Sequence, residues 1–203
     1  MNLEKHQFKS GSFIALINEA VDFMINTPME PLPPDNRFPG GGVYALYYTG
    51  KFPQYEKIYQ SNKDLPIYIG KAVLSGWRQG RGSTKINQPA LYNRLKEHAR
   101  SIAATSNLEV TDFKCKFLLL TDQEADLIST VEAAMTRRYN PLWNSYIDGF
   151  GNHDPGKGRY EQAKSEWDIL HSGRVWADRL KGISADINKV EEKIGAYYVI
   201  KST

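Results

Sequence analysis

The chain carries one cysteine, Cys115, among its 203 residues. That excludes an internal disulfide and any cysteine-rich zinc site. No apolar run approaches the roughly 20 residues that a membrane span needs. The opening segment, Met1-Asn2-Leu3-Glu4-Lys5-His6, has no basic stretch followed by an apolar one. No secretory leader is visible in it, and a reducing, cytoplasmic setting is the expectation. A phosphate cradle is missing too. The run Gly40-Gly41-Gly42 is followed by Val43 rather than by Lys-Ser or Lys-Thr, so it reads as a flexible lead-in to a strand. Acidic residues are scarce in one place: between Lys71 and Arg100 the only one is Glu97.

What is present fits a folded, mildly basic protein. The hydrophobic share is 41%, enough for a core, and the net charge is +3. That charge permits nucleic-acid binding without requiring it, so its location matters more than its size. It concentrates in Lys71, Arg78, Arg81, Lys85, Arg94, Lys96 and Arg100, with Trp77, Gln79, Ser83, Thr84, Asn87 and Gln88 interleaved. Guanidinium and ammonium groups neutralise phosphates, while Arg, Gln and Asn reach base edges. The segment therefore reads as a DNA-facing surface, the plainer alternative being a solvated loop and helix face.

Periodicity supplies the organisation. Residues 12–26 place apolar side chains at mostly helical spacing, and Pro31-Leu32-Pro33-Pro34 then forms an extended linker. Strands are expected over residues 43–48 and 66–69, joined by a long polar loop over 49–65. A helix over residues 91–104 precedes a strand over 113–120. Thr121 or Asp122 caps a helix that ends near Tyr139, before Asn140-Pro141. Beyond Trp143 comes a glycine-rich polar loop over 148–159, then two short helices near 160–170 and 184–197. The plan is one small core with additions at both ends: an N-terminal helix and linker over 1–39, a core over 40–147, and a C-terminal extension over 148–203.

Several residues could carry chemistry. Gly42-Val43-Tyr44 and Tyr68-Ile69-Gly70 are β-favouring pieces that each set one tyrosine against glycine. Paired as a hairpin, they would bring two phenols to one pocket, although strand tyrosines are usually packing residues. Arg94 and His98, four apart, project from one helix face, either toward a shared phosphate or simply into solvent. Glu132 lies beside the apolar stripe Leu127, Ile128, Val131, Ala134 and Met135. A carboxylate there needs a partner. Magnesium is one, since it takes one or two carboxylates and keeps most of its waters; an arginine is the other.

In this order, with Asn144 following, these residues resemble the GIY-YIG nuclease family from about Gly42 to Asn144. The resemblance implies an α+β fold, a small antiparallel sheet flanked by helices, and hydrolysis of DNA phosphodiesters. It makes Tyr44 the general base and Tyr68 its partner near the nucleophile. Arg94 becomes the phosphate clamp, and His98 a proton relay or hydrogen-bond donor to Tyr44. Glu132 becomes the ligand of a single Mg2+ (Mn2+ a candidate substitute), and Asn144 the tie between the end of the glutamate helix and the site. Whether Tyr44 or His98 is the actual base stays open. The gap between the two tyrosines is longer than the family's usual short loop, so a register slip would make Tyr47 or Tyr48 competitors for Tyr44.

The long loop between the cassettes, Gly70-Lys71-Ala72, Gly76-Trp77-Arg78-Gln79 and Asn140-Pro141-Leu142-Trp143-Asn144 are similar to the type II restriction branch of that family. So are Asp148-Gly149-Phe150-Gly151-Asn152-His153, Trp167-Asp168 and His171-Ser172-Gly173-Arg174. That branch cuts short GC-rich palindromes in double-stranded DNA as homodimers, with pairing into tetramers left open here. Lys71, Trp77, Arg78, Gln79, Arg81, Lys85, Asn152 and His153 are the expected DNA contacts, with Arg78 and Gln79 on bases and Lys71 and Lys85 on phosphates. His153 has no companion histidine and reads as a loop or DNA contact, not a metal ligand. A repair or structure-specific nuclease and a silent DNA-binding module are the rival readings.

Overall fold

The computed structural model describes residues 1–76 and 87–201. In chain order its main elements are α1 (Phe13–Asn26), β1 (Glu30–Pro31), β2 (Gly41–Tyr48), α2 (Glu56–Ser61), β3 (Tyr68–Ala72), α3 (Ala90–Ala103), β4 (Phe113–Leu120), α4 (Ile128–Tyr139), α5 (Leu142–Ser145), α6 (Glu166–Leu170) and α7 (Ile187–Lys201). The fold is α+β: a four-stranded antiparallel sheet in the order β1-β4-β2-β3, with helices on both faces. Among the described residues no helix is long and apolar enough to cross a membrane.

Strand β2 sits at the centre and is buried along its whole length. Because side chains alternate across a strand, its residues supply two separate cores. Tyr44, Leu46 and Tyr48 join Leu91, Leu95 and Ile102 of α3 and the indoles of Trp143 and Trp167 on one face. Val43, Ala45 and Tyr47 join Ile17, Val21 and Met24 of α1 and Ile128, Val131 and Met135 of α4 on the other. The site described below lies in the first of these.

Several boundaries differ from the expected ones, each for a local reason. The glycine run is not a flexible lead-in: Gly41 and Gly42 already belong to β2. A Cβ on Gly42 would run into the Leu118 carbonyl, and one on Gly41 would lie 2.7 Å from that of Ala72. The neighbouring strands thus require glycine there. The proline linker begins as strand β1, with Glu30 opposite Cys115 and Pro31 opposite Lys114 at the sheet edge, where a missing donor is tolerated. The loop over 49–65 contains α2. Helix α4 starts at Ile128, after a 3-10 turn over Asp122–Leu127, and ends at Tyr139, capped by Asn140 in the left-handed conformation before Pro141. Helix α6 begins only after Ser165, whose side chain accepts from the Asp168 N–H. Helix α7 begins after Asp186, whose carboxylate accepts from the Asn188 N–H at 2.9 Å.

Candidate active site

The hairpin of β2 and β3 fixes the tyrosines. Tyr44 lies opposite Gly70 and Leu46 opposite Tyr68, so Tyr44 and Tyr68 are diagonal neighbours on one face, their ring centroids 6.2 Å apart. Tyr47 points to the other face, into the α1–α4 core, where the Lys116 ammonium lies 5.7 Å from its ring centre. The Tyr48 hydroxyl accepts from the Phe52 N–H at 2.7 Å and faces Asp112 at 3.4 Å. Neither competitor reaches Tyr68's partners. Gly70 is needed where it stands, because a Cβ there would overlap the Tyr44 hydroxyl. The exposed edge of β3 is closed by Asn144. Its side-chain oxygen accepts from Ile69 N–H at 2.8 Å and its amide donates to Ile69 C=O at 2.8 Å, as a neighbouring strand would. Asn144 therefore ties α5 to the strand between Tyr68 and Gly70.

Helix α3 brings the cationic and titratable groups. Leu91, Leu95, His98 and Ile102 make up its buried stripe, so His98 occupies a core position, 2% exposed, rather than the solvent. Its Nε2 lies 2.5 Å from the Tyr44 hydroxyl. Burial, followed by the nearby Arg94, His153 and Arg174 side chains, pushes the imidazole well below its ordinary value. Burial, and then the Tyr68 phenol, pushes the Tyr44 phenol well above its own, with Arg94 pulling the other way. Both shifts favour the neutral pair, in which the phenol donates to an unprotonated Nε2. Tyr68 is also raised, mainly by burial, but it is only half-buried whereas Tyr44 is wholly enclosed.

Arg94, one turn before His98, donates to Glu97 at 3.0 Å and to the Gly151 carbonyl at 2.8 Å, and its Nη1 lies 2.6 Å from His153 Nε2. Its guanidinium borders an open groove of about 390 Å³ shared with Lys71, Ala90, Asn93, Glu97 and His153. Lys71 follows the Tyr68-Ile69-Gly70 cassette and pairs with Glu132 of α4 at 3.0 Å, both side chains partly exposed. The expected apolar stripe on α4 is present, with Ile128, Val131 and Met135 buried, and Glu132 stands at its margin.

Glu132 answers the metal question in a limited way. Among the described residues no cluster of three or more His, Cys, Asp or Glu side chains could cage an ion. A single accessible carboxylate suits a hard divalent cation that keeps most of its waters, as magnesium does.

Two contributors escaped the sequence reading. The Phe150 ring stacks on His98 at 4.5 Å and 16°, and meets Tyr68 edge-on at 4.9 Å. The Gly151 carbonyl holds Arg94, and a Cβ on Gly151 would lie 2.7 Å from the Tyr68 hydroxyl. A lone phenylalanine between glycines in a polar loop was the available signal. Of the expected DNA contacts, Trp77, Arg78, Gln79, Arg81 and Lys85 lie outside the described residues. Lys71 and His153 stand beside Glu132 and Arg94, and the Asn152 side chain is exposed, flanking with His153 a second cavity of about 320 Å³.

A family model described as the Eco29kI GIY-YIG domain matches residues 36–198. No curated protein matches the chain.

Proposed function

The chain belongs to the Eco29kI GIY-YIG domain family and is a restriction-type nuclease acting on double-stranded DNA; from that premise we propose a type II restriction endonuclease that hydrolyses one short, GC-rich palindrome by a single-metal mechanism with a tyrosine general base. One observation carries the mechanism: the 2.5 Å contact between the Tyr44 hydroxyl and His98 Nε2, one helical turn from Arg94.

An isolated phenol is a poor base near neutral pH, and burial makes Tyr44 a still weaker acid. Tyr44 need not ionise beforehand if its proton has somewhere to go. As water attacks phosphorus, its proton passes to the Tyr44 oxygen while the phenol's own proton moves to His98 Nε2. The two residues act as one base. The arriving phosphodiester anion favours the imidazolium that forms, offsetting the burial that disfavours it beforehand. Tyr68, half-exposed beside Tyr44, lines the path of the water. Arg94 and Lys71 border the groove and neutralise the phosphate. A divalent ion bound by Glu132 would neutralise charge on the departing 3′ oxygen. Asn144 keeps the second cassette in register.

One such site cuts one strand. A palindrome cut on both strands calls for two sites related by a two-fold axis, hence a homodimer. The basic segment over residues 78–85 is the proposed reader of bases, through Arg78 and Gln79, and the cytoplasm the proposed setting.

The test is incubation of the purified protein with long duplex DNA and magnesium, with sequencing of the fragment ends. Fragments sharing one short palindrome at their ends are expected. Intact duplex with cleavage of branched substrates would replace this reading with a structure-specific nuclease. Binding without cleavage of either would leave a silent DNA-binding module.

A further inference from the structure

Arg174 lies 76 residues beyond His98 in sequence and is 4% exposed. Its guanidinium is sandwiched between the rings of Trp167 and Trp176, 4.5 and 4.7 Å from their centres. It grips Asp168 with two parallel bonds, Nε to Oδ1 at 2.6 Å and Nη2 to Oδ2 at 2.7 Å. Asp168 is itself fixed by the Ser165 hydroxyl at 2.7 Å. The remaining donors go to three main-chain carbonyls of one loop: Gly149 at 3.0 Å, Phe150 at 3.1 Å and Asn152 at 3.3 Å.

A buried ion pair is seldom the best way to stabilise a core, because well-packed apolar residues do as well or better. An apolar residue could not, however, hold three carbonyls in a fixed arrangement; a planar fork of five donors can. The loop so held is the one that touches the site. Phe150 stacks on His98 and meets Tyr68, while Gly151 presents its carbonyl to Arg94. The backbone just before and just after those two contacts is anchored on the same guanidinium.

We propose that Arg174, oriented by Asp168, is a positioning residue of the nuclease site: it fixes the 149–152 loop, and the loop fixes the His98 ring and the Arg94 guanidinium. This rests on the placement of the chemistry at Tyr44, His98 and Arg94. Arg174 touches no reacting atom and acts through Phe150 and Gly151.

Arg174→Lys separates the fork from the charge. The lysine keeps a cation beside Asp168 and near His98, but cannot serve the carboxylate and three carbonyls together. In the full-length protein it should lower the single-turnover cleavage rate by about 10- to 100-fold, the scale of a misplacement near 1 Å, with DNA affinity unchanged. Imidazole NMR supplies a readout independent of cleavage, since the chain has only 4 histidines. The groups facing His98 are the rings of Tyr44, Tyr68 and Phe150, the charges of Arg94 and Arg174, and the titratable imidazole of His153. With the charge retained, a looser loop lets water reach the ring, and His98 should titrate closer to the ordinary histidine value.

Wild-type cleavage together with unmoved His98 signals would overturn the proposal. Moved signals with wild-type cleavage would uphold the tether and overturn the placement of the chemistry at His98. Should the lysine variant fail to fold, Trp176→Leu opens one face of the sandwich to water, which then competes for the hydrogen bonds that Arg174 makes to the loop. It should move both readouts in the same direction by a smaller amount, and wild-type values for both would overturn the proposal.

Discussion

The molecule contains two buried tyrosine–histidine pairs of the same contact length. Tyr44 meets His98 Nε2 at 2.5 Å and Tyr55 meets His171 Nε2 at 2.5 Å. In both, burial raises the phenol and lowers the imidazole, His171 falling to about 3. Their surroundings differ. His171 lies 2.9 Å from the Asn107 amide oxygen through its Nδ1, and packs among Phe52, Trp143 and Trp167. His98 sits one turn from Arg94, beside half-exposed Tyr68 and near the groove that Lys71 lines. A short phenol–imidazole contact with shifted acidities therefore does not mark a catalytic base on its own. A partly exposed cation, Arg94, and the open groove it lines with Lys71 distinguish the first pair from the second.

Chemistry and structure can be separated by breaking each surrounding in turn. The largest effect is expected at Glu132, which has no counterpart at the inner pair. Glu132→Ala should abolish cleavage, a loss of about 10⁴-fold or more, as removal of several kcal/mol of transition-state stabilisation requires. A gel-shift measurement on the same variant should show DNA binding intact. Normal-rate cleavage would remove Glu132 from the metal-ligand role.

Histidine replacements come next. His98→Gln should slow single-turnover cleavage by about 10²- to 10⁴-fold, the usual contribution of general acid–base catalysis. His171→Gln should leave that rate near wild type. Its cost should appear in urea melts instead, about 1–3 kcal/mol for a buried polar network left incomplete.

The same inner histidine should also make stability depend on pH. His171 has a folded-state value near 3 against an ordinary value of 6.5, so as pH falls from 6.5 toward 3 the unfolded chain takes up a proton that the folded one refuses. Its contribution is complete above the ordinary value and is lost across that window, at up to about 1.4 kcal/mol per pH unit. His98 adds a loss of the same sign. Urea midpoints measured from pH 7 to pH 4 should fall, and should fall less steeply in His171→Gln. A parallel decline in both proteins would show that His171 does not carry it.

The sheet and the long helices were legible because alternation and helical spacing are local properties. Strand β4 covers residues 113–120, as its alternation predicts, and α3 and α4 end within a residue of their expected limits. The six proposed site residues came from the resemblance of their order and type to the GIY-YIG family. The register that sets Tyr44 opposite Gly70 was not legible across a loop of uncertain path, and only the pairing across β2 and β3 resolves it. Nor did any local pattern announce the contact of Tyr55 with His171, 116 residues apart, or that of Arg94 with Gly151, 57 apart. Those contacts arise where the C-terminal loops fold back over α3, and sequence periodicity carries no information about such returns.

The most direct measurement compares the two phenols. Tyr44→Phe and Tyr55→Phe each remove one hydroxyl from one buried pair, and single-turnover cleavage of the same duplex reads both. Tyr44→Phe should lose about 10²- to 10⁴-fold while Tyr55→Phe cleaves near the wild-type rate. Equal rates in the two variants, or a larger loss at Tyr55, would contradict the assignment of the base to the outer pair.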